Sequence, residues 1–182
     1  MDKFLIIAVT RPDFFPGEAE RINNLFALYQ DMYIHVRKPF ASYGETERLI
    51  RQIDPQFHNR LKMHDYFELT NSYNLGGIHL NSRNPKPLPG ARSISKSMHS
   101  LKELEDCNHF DYVFLSPIFD SISKKGYKSP FILSELEESI KGKNVIALGG
   151  VTPDKFPLLK SIGFMGAALL GYFFSNTEKT FI

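Results

Sequence analysis

Phe110 to Tyr127 reads FDYVFLSPIFDSISKKGY. Asp111 punctuates the start, Tyr112 to Leu115 is a short aromatic and β-branched run suited to a strand buried on both faces, and Pro117 ends it. The loop beyond carries Ser116, Asp120, Ser121, Ser123, Lys124, Lys125 and Gly126. Hydroxyl and ammonium groups therefore gather at the carboxyl end of a buried strand, which is where α/β folds keep their chemistry.

Working outward, the same pattern recurs. Upstream, Phe4–Val9, MYIHVR (32–37), Arg60–His64, GGIHL (76–80) and the weaker Ala91–Ser95 read as strands. Downstream, Val145–Leu148 and Gly166–Leu170 do so. Between them, helical spacing appears from Glu18 through Ile22, Leu25, Phe26 and Tyr29, then over Ser42–Ile53, Tyr66–Tyr73 and Phe131–Ile140. Ser100 with Glu103 forms a capping box for a helix over Leu101–Cys107. Thr152 with Pro153 starts another after the seventh strand. Eight strands alternating with helices in 182 residues are about the minimum for a closed (β/α)8 TIM barrel, with an open doubly wound sheet as the competing α/β architecture. The barrel is preferred because polar residues recur at the ends of strands two, three, six, seven and eight, where closure would bring them to one mouth. Only Tyr172–Ile182 remains for an eighth helix, a short C-terminal end whose uncovered apolar edge a homodimer would cover.

Composition narrows the class of function. A single domain over residues 1–182 would bury about 70% of its unfolded surface. The net charge of +2 is spread along the chain, which argues against nucleic acid as a partner and leaves a small anion. Cys107 is the one cysteine, so no internal disulfide forms, and the residue reads as a packed thiol in a reducing compartment. The N-terminal apolar run FLIIAV is too short for a signal segment or a membrane span. The expected location is the cytoplasm, away from membranes.

Candidate ligand groups follow from the strand ends. Pro39 forces loop immediately after Arg37 and Lys38, which places both bases at a strand tip, as ligand-binding or simply solvated charges. Asp65 at the next tip can orient a base, cap a helix, or hold Mg²⁺ with water and phosphate oxygens. Gly149-Gly150 after a buried strand, and Gly171 after the last, read as phosphate-cradling backbone or as tight turns. His35 and His79 are packing groups or catalysts; His64 and His99 lie nearer loops. No HxH or HExxH spacing marks a catalytic zinc.

Taken in order, these motifs resemble the thiamine phosphate synthase/TenI superfamily from the first strand to Gly171. The likeness rests on IHVRKP (34–39), His64-Asp65, Gly77 to Leu80, Ser97-Met98-His99, Asp111-Tyr112 with Ser116 to Lys124, Ala147 to Val151, and Gly166-Ala167-Ala168. It implies a barrel acting in thiamine biosynthesis. The first activity is that of a transferase (synthase) joining aminopyrimidine diphosphate to thiazole phosphate with Mg²⁺. The runners-up are a thiazole tautomerase that needs no metal and a barrel that binds thiazole phosphate without turnover. By this resemblance Arg37, Ser97 and Lys124 hold the diphosphate and Asp65 the Mg²⁺. Lys38, His64, Ser121, Ser123, Gly149, Gly150 and Gly171 line the phosphates, and His99 or His64 serves in proton transfer. Three departures, His64, Pro39 and Asn84, fall on the diphosphate half, and Pro117 stands where the tautomerase branch has a histidine.

Overall fold

The structure, a computed structural model, describes residues 4–120 and 128–174. Ser121, Ser123 and Lys124 lie outside the described residues. Eight parallel strands close into one barrel in sequence order: β1 (Leu5–Val9), β2 (Met32–Val36), β3 (Leu61–Met63), β4 (Gly77–Leu80), β5 (Ile94–Met98), β6 (Tyr112–Leu115), β7 (Val145–Leu148) and β8 (Gly166–Leu170). The ring is completed by β1 pairing with β8, Ile7 opposite Ala168. Helices α1 (Glu18–Leu28), α2 (Tyr43–Gln52), α3 (Glu68–Ser72), α4 (Leu133–Ile140) and α5 (Phe156–Ile162) lie between strands. The (β/α)8 expectation is therefore borne out.

Each strand alternates between two cores because successive side chains point to opposite faces. Outward residues such as Ala8, Ile34, Met63, Val113, Ala147 and Leu169 pack under the helices with Ile22, Phe26, Leu49 and Leu159. Each such fully buried aliphatic chain stabilises the fold by about 1.5–3 kcal/mol. Inward residues Ile7, Val9, Tyr112, Phe114, Ile146 and Ala168 form a second, smaller cluster inside the barrel. The buried members of that cluster come from β1, β6, β7 and β8, with Tyr33 of β2 packed against them; on β2 to β5 the inward His35, Lys62, His79, Ser95 and Ser97 are polar instead.

Local chemistry sets the helix ends. Ser42 accepts from Glu45 N at 3.3 Å while Glu45 accepts from Ser42 N at 2.8 Å, a reciprocal cap worth about 1 kcal/mol. α1 has no basic residue in its last turn. Arg60 supplies one from a distant position, donating to Tyr29 O at 3.0 Å, Gln30 O at 2.8 Å and Phe26 O at 3.2 Å.

Three elements differ from the sequence reading. β5 is Ile94–Met98, three residues later than expected. Its inward residues Ser95 and Ser97 are polar, so the run lacks the apolar signature of its neighbours. The helix read over Tyr66–Tyr73 shortens to Glu68–Ser72, with Tyr66 at φ 52°. The segment after Ser100 forms a 3-10 turn over Lys102–Asp106, although Ser100 does accept from Glu103 N at 3.3 Å. Among the described residues no helix is long and apolar enough to cross a membrane.

Candidate active site at the barrel mouth

Closure converts isolated polar residues of five strands into one constellation. His35 is in register with Val9 on one side and Lys62 on the other, and His79 with Ser95. All of these except Val9 are polar, buried and in or near the lumen. His35 Nδ1 lies 2.9 Å from His64 Nε2, and His35 Nε2 lies 2.7 Å from Tyr112 Oη. His79 spans Ser95 Oγ at 2.9 Å and Ser97 Oγ at 2.8 Å. Ser97, assigned a ligand role by resemblance, thus has its hydroxyl tied to His79.

Burial, reinforced by neighbouring imidazoles and by Lys62, holds His35 and His79 well below the usual histidine range. Burial also pushes His64 down to about 3, helped by the charges of Arg37, Arg83 and Lys62. Three neutral imidazoles sit side by side. Their nearest nitrogens fall within 4.8 Å of one another, but the His64 and His79 rings are stacked, 4.2 Å apart at 19°. Lone pairs lie in the ring plane, so two nearly parallel rings do not converge on one ion. His64 and His79 form a stack, and His35 meets both edge-on with a hydrogen bond to His64.

Among the described residues no carboxylate forms an ion pair with Lys62. Its ammonium lies 3.4 Å from Ser95 Oγ and 4.2 Å from the centre of the Tyr112 ring, and burial pushes its pKa down to about 8. The unfolded chain holds that proton up to about 10.4, so the folded state is penalised below pH 8 and relieved as pH rises to 10.4. Lys62→Met is therefore expected to stabilise the protein at pH 7 by about 2–3 kcal/mol. The gain should shrink by pH 10, as read from urea unfolding at both values.

Above the lumen, Arg37, Asp65, Arg83 and Asn84 meet at the mouth. Asp65 Oδ1 accepts from Arg83 Nη2 at 3.0 Å, Arg83 Nε at 3.3 Å and Asn84 Nδ2 at 2.9 Å. The Asp65 side chain is 12% exposed and that of Arg83 39%. Arg37 is lowered by burial and then by the charge of Arg83, with Asp65 opposing. Its guanidinium makes no hydrogen bond or ion pair with a described residue. Two guanidinium groups against one carboxylate leave this corner net positive. An adjoining cavity of about 500 Å³ is lined by Asp65, Arg83, Asn84, Lys86, Pro87 and Glu68, among others.

Mg²⁺ asks for about six oxygen ligands near 2.0–2.1 Å in an octahedron. Water and phosphate oxygens supply most of these, which leaves the fit to the state of the Asp65 carboxylate. Its Oδ1 already takes three N–H donors, and Asn84 turns its NH₂ toward it. Among the described residues the one cluster of three potential metal ligands is the histidine trio, which leaves Asp65 out. The residues present do not fit a Mg²⁺ site.

The remaining candidates separate. Lys38 is buried, its Nζ held at 2.7 Å by both Glu18 oxygens and at 3.0 Å by Asp13 O. That ammonium is committed to the protein and is not offered to a ligand. His99 is exposed and binds Ser116 O through Nδ1 at 3.0 Å, beside a second cavity under α4 and away from Asp65. Gly171 spends its amide on Val9 O at 3.2 Å.

Gly149 and Gly150 have φ of 92° and 62°, a left-handed pair that only glycine adopts without strain. A Cβ on Gly149 would sit 2.7 Å from Pro117 Cα, and one on Gly150 2.4 Å from Asp120 O. The β7 turn is thereby locked onto the loop after β6. Their carbonyls take Phe119 N and Lys155 Nζ, while no acceptor among the described residues takes their N–H groups.

Sequence reading missed Arg83, Lys62, Ser95 and Tyr112. Only Lys62 carried a signal, its alternation with Leu61 and Met63 along β3.

Residues 27–172 match the family model described as thiamine monophosphate synthase. The chain belongs to that family. A crystal structure of thiamine phosphate pyrophosphorylase from Bacteroides thetaiotaomicron superposes with a TM-score of 0.81 at 39% identity, covering 92% of this chain and 83% of that one. The thiamine-phosphate synthase of Pediococcus pentosaceus is 22% identical over 181 residues, 92% of this chain and 83% of its own. That of Leuconostoc citreum is 25% identical over 136 residues, 69% of this chain, and the match spans 64% of the Leuconostoc protein's length. Within the family's barrel, the mouth described above occupies the carboxyl ends of β2, β3 and β4, where such folds carry their sites.

Proposed function

We propose that the protein is a thiamine phosphate synthase-like transferase that joins an aminopyrimidine diphosphate to a thiazole phosphate. The observation that carries this reading is the net positive mouth, Arg37 and Arg83 around Asp65, in a chain of the thiamine monophosphate synthase family. In the reaction the bond from the pyrimidine methylene carbon to the diphosphate oxygen breaks, its electron pair leaving with diphosphate. The thiazole nitrogen lone pair forms the new C–N bond. Charge grows on the departing oxygens, and the guanidinium groups of Arg37 and Arg83 stabilise it.

The free amides of Gly149 and Gly150 are suited to the thiazole phosphate. Lys124, Ser121 and Ser123 join the ligand set by motif alone. Incubation with both substrates is expected to form thiamine phosphate, detected by mass. Arg37→Ala should lower kcat/KM by about 10²–10³-fold. Absence of product with the intact protein would remove the transferase.

A second reading, an isomerase shifting a proton on thiazole phosphate, is favoured by the three neutral imidazoles, whose unprotonated nitrogens are the form a proton acceptor needs. It predicts turnover of the thiazole alone, lost in His64→Ala.

A further inference from the structure

The loop after β4 delivers a cation to the carboxylate where the family resemblance calls for a metal ion. Asn81 Oδ1 accepts from Arg83 N at 3.0 Å and from Asn84 N at 3.3 Å. Asn81 Nδ2 and Asn84 Nδ2 both donate to the His64 carbonyl, at 2.8 and 3.0 Å. The turn is closed by Asn81 N on Asn84 O at 3.2 Å and the reverse bond at 3.1 Å. These bonds fix Arg83 against β3 before any ligand arrives. Asp65 then receives the guanidinium through Nη2 on both oxygens, at 3.0 and 3.3 Å, and through Nε on Oδ1 at 3.3 Å.

Guanidinium–carboxylate pairs with several N–H···O bonds are among the stronger polar contacts because both partners are ionised. A dication reaching Asp65 would have to displace Arg83 and Asn84 together. It would then stand in the field of Arg37, whose own pKa already registers the charge of Arg83. An anion meets the opposite situation: one carboxylate is neutralised, and the excess positive charge faces the mouth.

We infer that Arg83 takes the place of a divalent cation at Asp65, so that the diphosphate end of the ligand is received by Arg37 and Arg83 without a metal ion. The inference rests on the transferase reading only for the ligand's identity. Arg83 is the specificity-determining residue in this arrangement, because it sets which counter-ion the site keeps.

Binding of inorganic diphosphate, followed by calorimetry, is expected in excess chelator with an affinity within about twofold of that in millimolar Mg²⁺. Arg83→Gln should weaken it by about 10- to 100-fold in chelator. Manganese resonance spectra of the protein alone should show only free Mn²⁺. Stoichiometric Mn²⁺ binding that disappears in Asp65→Asn would overturn the inference. So would diphosphate binding that appears only with Mg²⁺, or that appears in neither condition. Chelator-insensitive diphosphate binding without any thiamine phosphate formation would leave the inference standing and remove the transferase reading.

Discussion

Between pH 6 and pH 4.5 the protein is expected to lose about 5–6 kcal/mol of stability from three residues alone. His35, His64 and His79 are buried among one another, and burial keeps each of them neutral well below its ordinary range. The unfolded chain takes up protons on all three near pH 6.5. Over that interval it therefore binds more protons than the folded state, and stability must fall as pH falls, by about 1.4 kcal/mol per pH unit for each histidine once well below 6.5.

Domains of this size hold about 5–15 kcal/mol in total, so the loss is between a third and all of that stability. Urea titrations at closely spaced pH values check the slope. His79→Gln, which keeps a polar group facing Ser95 and Ser97, should reduce the loss by about one third. A loss below about 2 kcal/mol in the native protein would mean that the stack accepts a proton while folded. The steepness is a property of neutral neighbours: a single buried histidine would give a third of it.

The same stack shows which parts of the molecule could be read from sequence. Val145–Leu148, Tyr112–Leu115 and Gly166–Leu170 were legible to the residue, because unbroken apolar or small-residue runs between turn formers have few other uses. Polar residues clustered at strand ends also pointed correctly to closure. Ile94–Met98 was placed early since its inward residues are serines, and a strand that turns hydroxyls into a lumen carries no apolar alternation. His35 and His79 stayed undecided between packing and chemistry for a related reason. Each is one polar residue in an apolar strand, and only the ring of strands reveals that Lys62 and His64 stand beside one and Ser95 and Ser97 beside the other.

Arg37 and Asp65 stand at strand tips in the sequence and meet at the mouth. Arg83 was hidden in a proline-rich crossing that looked like a spacer, because its role comes from an Asn81 side-chain turn and a partner 18 residues upstream. Such pairings have no local signature.

Lys38 makes the point most sharply, and it yields the second large effect. Position at a strand tip beside Arg37 marked it as a ligand base, yet its ammonium turns inward to Glu18 in α1. The two side chains are 0% and 2% exposed, with Nζ at 2.7 Å from the carboxylate. Burial raises the Glu18 pKa and lowers that of Lys38, while their mutual hydrogen bond and attraction work against both shifts. Desolvation is the larger influence on each partner, which is the expected condition of a buried pair whose attraction roughly offsets its cost.

Glu18→Ala leaves the ammonium with only Asp13 O and, 4.5 Å away, the centre of the Phe14 ring. It should destabilise the fold by about 3–5 kcal/mol, because an uncompensated buried charge remains. Glu18→Leu with Lys38→Met removes both charges and should return to within about 1 kcal/mol of the native stability. The double variant also separates structure from binding. If the ammonium only ties the β2 loop to α1, diphosphate affinity is retained once the apolar pair restores the packing. A tenfold or greater loss in a double variant of native stability would instead place Lys38 among the groups that hold the ligand.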